Sequence, residues 1–203
     1  MKLYITPTSP YARMTRILII EKQLEDRVDI IGAQTRVPAS AYYGINPSGR
    51  VPYLVRDDGV GMEDSALICS YFDHLDGNPE FDLPAGDEIW EYKRLEALAR
   101  SLLDGLSVWG RELSRPEEDR SPTIIAHERA RSERMLDLWE KVVQHPLLLA
   151  DLNMMQITLV CALQLEKLNP QFEWCAGHPN LCAWEIVLAN RRSIAETVPP
   201  PMT

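Results

Sequence analysis

The chain has 203 residues, 45% of them apolar and 25% charged, which is globular composition sufficient for one large or two small domains. It carries 21 basic and 30 acidic residues, a net charge of −9, and both halves are acidic, so the basic footprint that nucleic-acid binding requires is missing. No apolar run approaches the roughly 18–20 residues that span a bilayer, and the first residues lack the basic–apolar–small pattern of a signal peptide. A cytoplasmic protein with neither nucleic-acid nor membrane partners is expected.

The first 75 residues alternate strand and helix. Lys2-Leu3-Tyr4-Ile5 reads as a strand and Thr6–Pro10 as a loop. Ser9-Pro10 opens a helix, a serine N-cap with proline at the first helical position. Met14, Ile17, Leu18 and Glu21 keep helical spacing, and the helix is expected to end near Gln23. Arg27–Ile31 is a second strand. Asn46-Pro47-Ser48-Gly49 is turn chemistry, and Val51–Val55 a third strand. Asp57-Asp58-Gly59 makes a hairpin into a short strand from Val60 to Met62, and Ser65 starts a helix through Leu67, Tyr71 and Phe72. The order βαβ then ββα is that of a thioredoxin-type half. The expected division is a first domain over 1–76, a linker over 77–87 rich in Pro and Gly, and an all-helical domain over 88–203.

In the second half Asp87 is placed to cap a helix running from Trp90 to Leu106, and a polar loop with Pro116 and Pro122 interrupts it. A second helix carries Ile125, Met135, Leu138 and Trp139. Leu152–Leu168 is almost entirely apolar and predicts a central, buried helix. A last helix is expected from Pro179 to about Glu196. Asp151 stands before the buried helix, but the position three residues earlier is Leu148. Asp151 therefore lacks a capping-box partner, and either it caps with backbone alone or the helix begins later.

The cysteines are Cys69, Cys161, Cys175 and Cys182, too sparse for a disulfide framework. Cys175-x2-His178-x3-Cys182 offers three zinc ligands with no fourth nearby, so no metal is assigned. All four thiols are read as free and structural.

Three stretches resemble the cytosolic glutathione S-transferase superfamily: Thr6–Arg13 with Arg16; Asn46-Pro47-Ser48-Gly49-Arg50-Val51-Pro52; and Glu63-Asp64-Ser65-Ala66-Leu67-Ile68 with Tyr71. Leu149-Ala150-Asp151 resembles a further element of the second domain. The likeness covers the whole chain and is nearest to the bacterial YibF-like members. It implies an enzyme that binds glutathione as co-substrate and needs no metal. The protein would stabilise the thiolate and conjugate it to a small hydrophobic electrophile, or reduce a peroxide. The general reaction is that of a detoxifying glutathione transferase (EC 2.5.1.18-like). A non-catalytic adaptor or stress-associated protein of the same fold is the competing reading, and a homodimer is the implied assembly.

The resemblance also implies residue roles. The Val51–Pro52 bond is expected to be cis, with Val51 offering its backbone to the cysteinyl part of glutathione. Asp64 and Ser65 face the γ-glutamyl end. A carboxylate suits its ammonium, and a hydroxyl at a helix N-terminus suits its carboxylate. Arg50, and more weakly Arg36, are candidates for the glycyl carboxylate. Ser9 is the candidate catalytic residue. A free thiol has a pKa of about 8.5, and a hydroxyl donating to sulfur at a helix N-terminus lowers it. Thr8 and Tyr11 are neighbours able to take that role. Tyr11, Trp109 and Arg111 are candidates for an electrophile pocket in a groove between the domains. No cysteine lies in the first loop, which argues against mixed-disulfide chemistry there.

Overall fold

The structure, a computed structural model, describes residues 1–81, 86, 88–169 and 171–200. In β1 (Lys2–Ile5) Leu3 and Ile5 are 0% and 6% exposed while Lys2 faces water, the period of a strand with one buried face. Leu3 pairs in parallel with Ile30 of β2 (Asp29–Gly32) and antiparallel with Leu54 of β3 (Tyr53–Val55). β4 (Gly61–Met62) completes the order β2-β1-β3-β4. The expected hairpin is present: Gly59 takes φ +82, and Arg56 N donates to Val60 O at 3.0 Å. β3 begins after Pro52 rather than at Val51, because proline brings no N–H to a ladder.

α1 (Pro10–Glu21) joins β1 to β2 and α2 (Ser65–His74) follows β4, so the thioredoxin-like order stands as read. Met14, Ile17 and Leu18 of α1 and Ile68 and Phe72 of α2 are 0% exposed and form the core beside the sheet. At the far end of both helices Lys22 Nζ lies 2.8 Å from Asp76 and 3.6 Å from Asp73 and donates to Asn78 O at 2.8 Å. Asp73, 1% exposed, also accepts from the backbone N–H groups of Glu80 and Phe81 at 2.9 and 3.0 Å. Burial works against the Lys22 ammonium, but Asp76, Asp73 and Glu80 outweigh it and raise its pKa.

The chain divides into two compact units, and Glu196–Pro200 belongs to the first. There Arg13 Nε donates to Thr197 Oγ1 at 3.3 Å and Arg16 Nη1 to Thr197 O at 3.4 Å, which clips this segment to α1. Residues 82–85 and 87 lie outside the described residues, so the expected linker is described only in part and the Asp87 cap not at all.

The second unit is helical: α3 (Ile89–Leu113), α4 (Pro122–Val142), α5 (Pro146–Leu149), α6 (Met154–Leu163), α7 (Pro179–Ala189) and α8 (Arg192–Ala195). All ten residues of α6 are buried, as its continuous apolar sequence predicts. Gly105 lets α4 approach α3. A Cβ there would stand 2.5 Å from Glu128 Oε2, and the Arg131 beside it donates to Ser101 O at 2.8 Å. No helix among the described residues is long and apolar enough to cross a membrane.

Four readings change. The buried helix begins at Met154, because Asn153 caps it by accepting from Gln156 N at 3.1 Å; Asp151 is exposed and the cap moves two residues on. After Leu163 the backbone tightens into a 3₁₀ turn, Gln164–Lys167. The last helix is interrupted after Ala189, where the Asn190 side chain donates to Ile186 O at 2.8 Å and competes with the next turn. Finally, Cys175 and Cys182 are disulfide-bonded, and Cys69 and Cys161, both 1% exposed, are the cysteines outside that bond. A continuous helix would separate the pair by about 10 Å. A 3₁₀ turn at Cys175–Gly177 and a fresh helix start at Pro179 bring their Cα atoms to 5.2 Å.

The Lys22–Asp73 pair predicts that Asp73→Ala lowers the unfolding free energy by roughly 3–5 kcal/mol, because a buried ammonium loses a partner and two backbone donors lose their acceptor. Urea denaturation of the two proteins measures it.

Candidate functional site

Strand direction brings the candidate residues together. β1 runs antiparallel to β3, with Tyr4 opposite Tyr53, so the chain leaving β1 toward Ser9 and the chain entering β3 through Val51-Pro52 occupy one sheet end. β4 is antiparallel to β3 in turn, with Met62 opposite Leu54, so Glu63-Asp64-Ser65 emerges at that same end. Segments far apart in sequence thus meet in one place, and two of them open into helix N-termini. A concavity of about 250 Å³ on the first unit, bordered by Arg16, Ile20, Val28, Ile30 and Thr197, shares no residue with this set.

Ser9 is half-buried and caps α1, its Oγ accepting from Ala12 N at 3.2 Å, with Pro10 at the first helical position. A hydroxyl has one hydrogen and two acceptor positions, so accepting from Ala12 leaves its hydrogen for another acceptor. Capping and donation to a ligand are therefore compatible. Tyr11 is half-buried in the first turn of α1, and Thr8 is exposed.

Asp64, exposed, is the N-cap of α2, its Oδ1 accepting from Ala66 N at 3.1 Å and Leu67 N at 3.2 Å. Ser65 is the first helical residue and only 2% exposed. The cap is thus the acid, and Ser65 is left out of that role. The Val51–Pro52 bond is cis, and so is Glu63–Asp64. Val51 is half-buried and precedes the β3 ladder, which starts at Tyr53. The Arg50 guanidinium is exposed and has no ion-pair partner among the described residues; Arg36 is exposed at φ +60.

Sequence reasoning missed what holds this end together. Asn46 is 2% exposed and uses both amide hydrogens, donating at 3.0 Å to Arg50 O and at 3.0 Å to Glu63 Oε2, while its Oδ1 accepts from Ser48 N at 3.1 Å. Ser48 Oγ also donates to Glu63 Oε2, and Tyr42 OH to Arg50 O. Burial pushes the Tyr42 phenol above its ordinary pKa; Asn46 opposes this and the Glu63 charge reinforces it, so the hydroxyl keeps its proton and its donor role. The network ties the Arg50-Val51 backbone to the Glu63-Asp64 turn. Gly49 makes its tight path workable: φ is +66, and a Cβ would stand 2.7 Å from the Tyr43 ring. Asn46-Pro47-Ser48-Gly49 signalled a turn, and nothing in it named Glu63 or Tyr42 as partners.

In the helical unit Trp109 is 2% exposed, edge-on to Phe172 at 6.1 Å, and it borders a recess of about 50 Å³. That is far below the roughly 300–1,000 Å³ of ligand pockets, so Trp109 stands as a core residue of this unit. Arg111 is exposed. Among the described residues no group of three or more His, Cys, Asp or Glu side chains is placed to hold a metal.

Residues 8–75, the span holding Ser9, Arg50, Val51, Asp64 and Ser65, match the family model of the glutathione S-transferase N-terminal domain. The chain is 32% identical over 208 aligned positions to the GST-like protein YibF of Escherichia coli K12, covering 98% of this chain and 99% of that protein. It superposes with a TM-score of 0.87 on a glutathione transferase family member from Pseudomonas fluorescens Pf-5 with bound glutathione, at 30% identity and 98% coverage of both chains. A glutathione S-transferase from Methylobacillus flagellatus KT with glutathione bound gives the same TM-score of 0.87 at 27% identity, covering 98% and 99% of the two chains. The chain belongs to the glutathione S-transferase family.

Asn46→Ala is expected to lower stability by roughly 1–3 kcal/mol, since it strips the Arg50 carbonyl and the Glu63 carboxylate of a buried donor. Asn46→Asp, which restores the shape and the acceptor but not the donors, should recover little of it in thermal melts above pH 6.

Proposed function

We propose that this protein binds glutathione at the shared sheet end and acts as a glutathione transferase. It takes the tripeptide as co-substrate, stabilises its thiolate and adds it to a small hydrophobic electrophile, or passes its electrons to a peroxide. The observation that carries the reading is the convergence of Ser9, Val51 and Ser65 on one end of the sheet, two of them at helix N-termini. Glutathione-bound relatives of the same fold support it.

In this reading each residue has one task. The Ser65 hydroxyl and its own backbone N–H hold the γ-glutamyl carboxylate, where the helix dipole favours negative charge. The Asp64 carboxylate pairs with the adjacent ammonium through the oxygen positions its cap does not use. Val51 presents its backbone N–H and C=O to the cysteinyl residue, and Arg50 meets the glycyl carboxylate. Ser9 donates its hydroxyl hydrogen to sulfur. The anion is then stabilised before reaction, by dipoles that need no rearrangement in the transition state. Tyr11 is the pocket candidate of the first unit, and its half-exposed ring suits contact with an electrophile.

Two substitutions separate binding from activation. Ser65→Ala should weaken glutathione binding by roughly tenfold or more in calorimetry, the worth of a hydrogen bond to a charged group, with circular dichroism unchanged. Ser9→Ala should leave affinity close to wild type but raise the pKa of the bound thiol by one unit or more in an ultraviolet thiolate titration, about 1.4 kcal/mol per unit. Thiol transfer should slow about tenfold. If Ser9→Ala lowers only the melting temperature, Ser9 is a cap alone. If wild type binds glutathione with no thiolate at neutral pH, the adaptor reading replaces the enzyme.

The same reading includes a homodimer. Leu67 on α2 and Trp90 on α3 are 50% and 75% exposed, apolar surface of the kind a second subunit covers. Light scattering at micromolar concentration should return twice the chain mass; a monomer overturns this part.

A further inference from the structure

We propose that Cys175 and Cys182 form a thiol–disulfide exchange site that takes low-molecular-weight disulfides, separate from the glutathione-binding residues. Their Cα atoms stand 5.2 Å apart, within the span of about 4.4–6.8 Å that a disulfide bridges without backbone movement. Both residues are half-buried, whereas Cys69 and Cys161 are 1% exposed and closed to an incoming reagent. Exposure and pairing together single out one pair among the four cysteines.

The turn that carries the pair is held by bonds that involve no sulfur. His178 N donates to Cys175 O at 3.1 Å and Cys182 N to His178 O at 2.9 Å. The His178 ring contacts Trp174 O through Nδ1 at 2.7 Å and Asp137 Oδ1 through Nε2 at 3.3 Å. Glu140 caps α7 from a neighbouring helix, accepting from Asn180 N at 3.0 Å and Leu181 N at 2.9 Å. Burial opposes the Glu140 charge, but these bonds outweigh it and hold the carboxyl below its ordinary pKa. The two sulfurs therefore stay close whether or not they are joined, and the pair can cycle without unfolding the segment.

Cys182 is the fourth residue of the eleven-residue α7, where the positive helix end favours a thiolate, so it is the attacking group. Its thiolate attacks one sulfur of the incoming disulfide; a protein–ligand S–S bond forms, the ligand's S–S bond breaks and one small thiolate leaves. The Cys175 thiolate then attacks Cys182 Sγ. The intramolecular bond forms, the mixed disulfide breaks and the second small thiolate leaves. Two electrons pass from the protein dithiol to the small disulfide, and its two thiolates take up the two protons.

The test uses the full-length protein and the couple 2-mercaptoethanol/2-hydroxyethyl disulfide, so that the outcome does not depend on a glutathione site. Samples equilibrated across a series of ratios at pH 7 are quenched with N-ethylmaleimide and mapped by mass spectrometry. The expected result is a reversible shift between two labelled thiols and an unlabelled species lighter than the free dithiol by about 2 Da, with the bridge mapped to Cys175–Cys182. Cys69 and Cys161 should label only after denaturation. Cys175→Ser should instead trap one hydroxyethylthio group on Cys182. Full labelling of Cys175 and Cys182 at every ratio overturns the proposal. So does a bridge that resists the reduced couple until the protein is unfolded, because that bond would be structural only.

Discussion

The sheet end where Ser9, Val51 and Ser65 converge depends on one buried amide. Asn46 has two hydrogens, and it spends one on the Arg50 carbonyl and one on the Glu63 carboxylate. Both belong to segments that the sheet leaves unpaired. Fixing a loop residue costs about 1–2 kcal/mol of backbone entropy, and β3 holds only three residues against which that cost is offset. A loop so weakly supported by strand pairing needs its own cross-links. Tyr42, Ser48 and Glu63 supply them in a connected network whose buried members are Asn46 and Tyr42.

Two helix N-termini lie at the same end. Helix N-termini leave backbone N–H groups without intrahelical partners. Ser9 and Asp64 satisfy part of that demand in α1 and α2, and both helices point their starts at the shared sheet end. A capping hydroxyl keeps its hydrogen, and a capping carboxylate keeps spare acceptor positions. Capping therefore leaves the Ser9 hydroxyl hydrogen and the second Asp64 oxygen uncommitted by the caps.

The helical unit solves a different problem. α6 is buried at all ten positions, so its polar groups find partners inside the protein, and Thr158 Oγ1 donates to Met154 O at 2.7 Å. Asn153 caps its start, and the neighbouring Gln156 amide donates to Leu147 O, Leu148 O and Ala150 O, each at 3.1 Å. The chain before α6 is thereby fixed to it. Trp184 Nε1 reaches Leu148 O from α7 at 2.9 Å, so three elements meet at one short stretch of backbone.

What the sequence determined alone is what local chemistry controls. Ser9-Pro10 states a helix start, Asp57-Asp58-Gly59 states a hairpin, and the largely apolar run after Leu152 states a buried helix, because a cap, a positive φ and a solvent-free surface are each decided within a few residues. The motif Asn46–Pro52 and the Asp64-Ser65 pair likewise named segments that the strand order brings to one sheet end. Tertiary structure decided the rest. That Asn46 meets Glu63, that Thr197 returns to Arg13, and that Cys175 meets Cys182 all depend on the path of the backbone between them. Asp151 was the cap considered from sequence, and the role fell to Asn153, whose side chain reaches Gln156 N. Spacing along a chain fixes a distance only while the conformation between two residues is known. Once a turn intervenes, sequence neighbours and spatial neighbours part company, and only the folded backbone says which side chains touch.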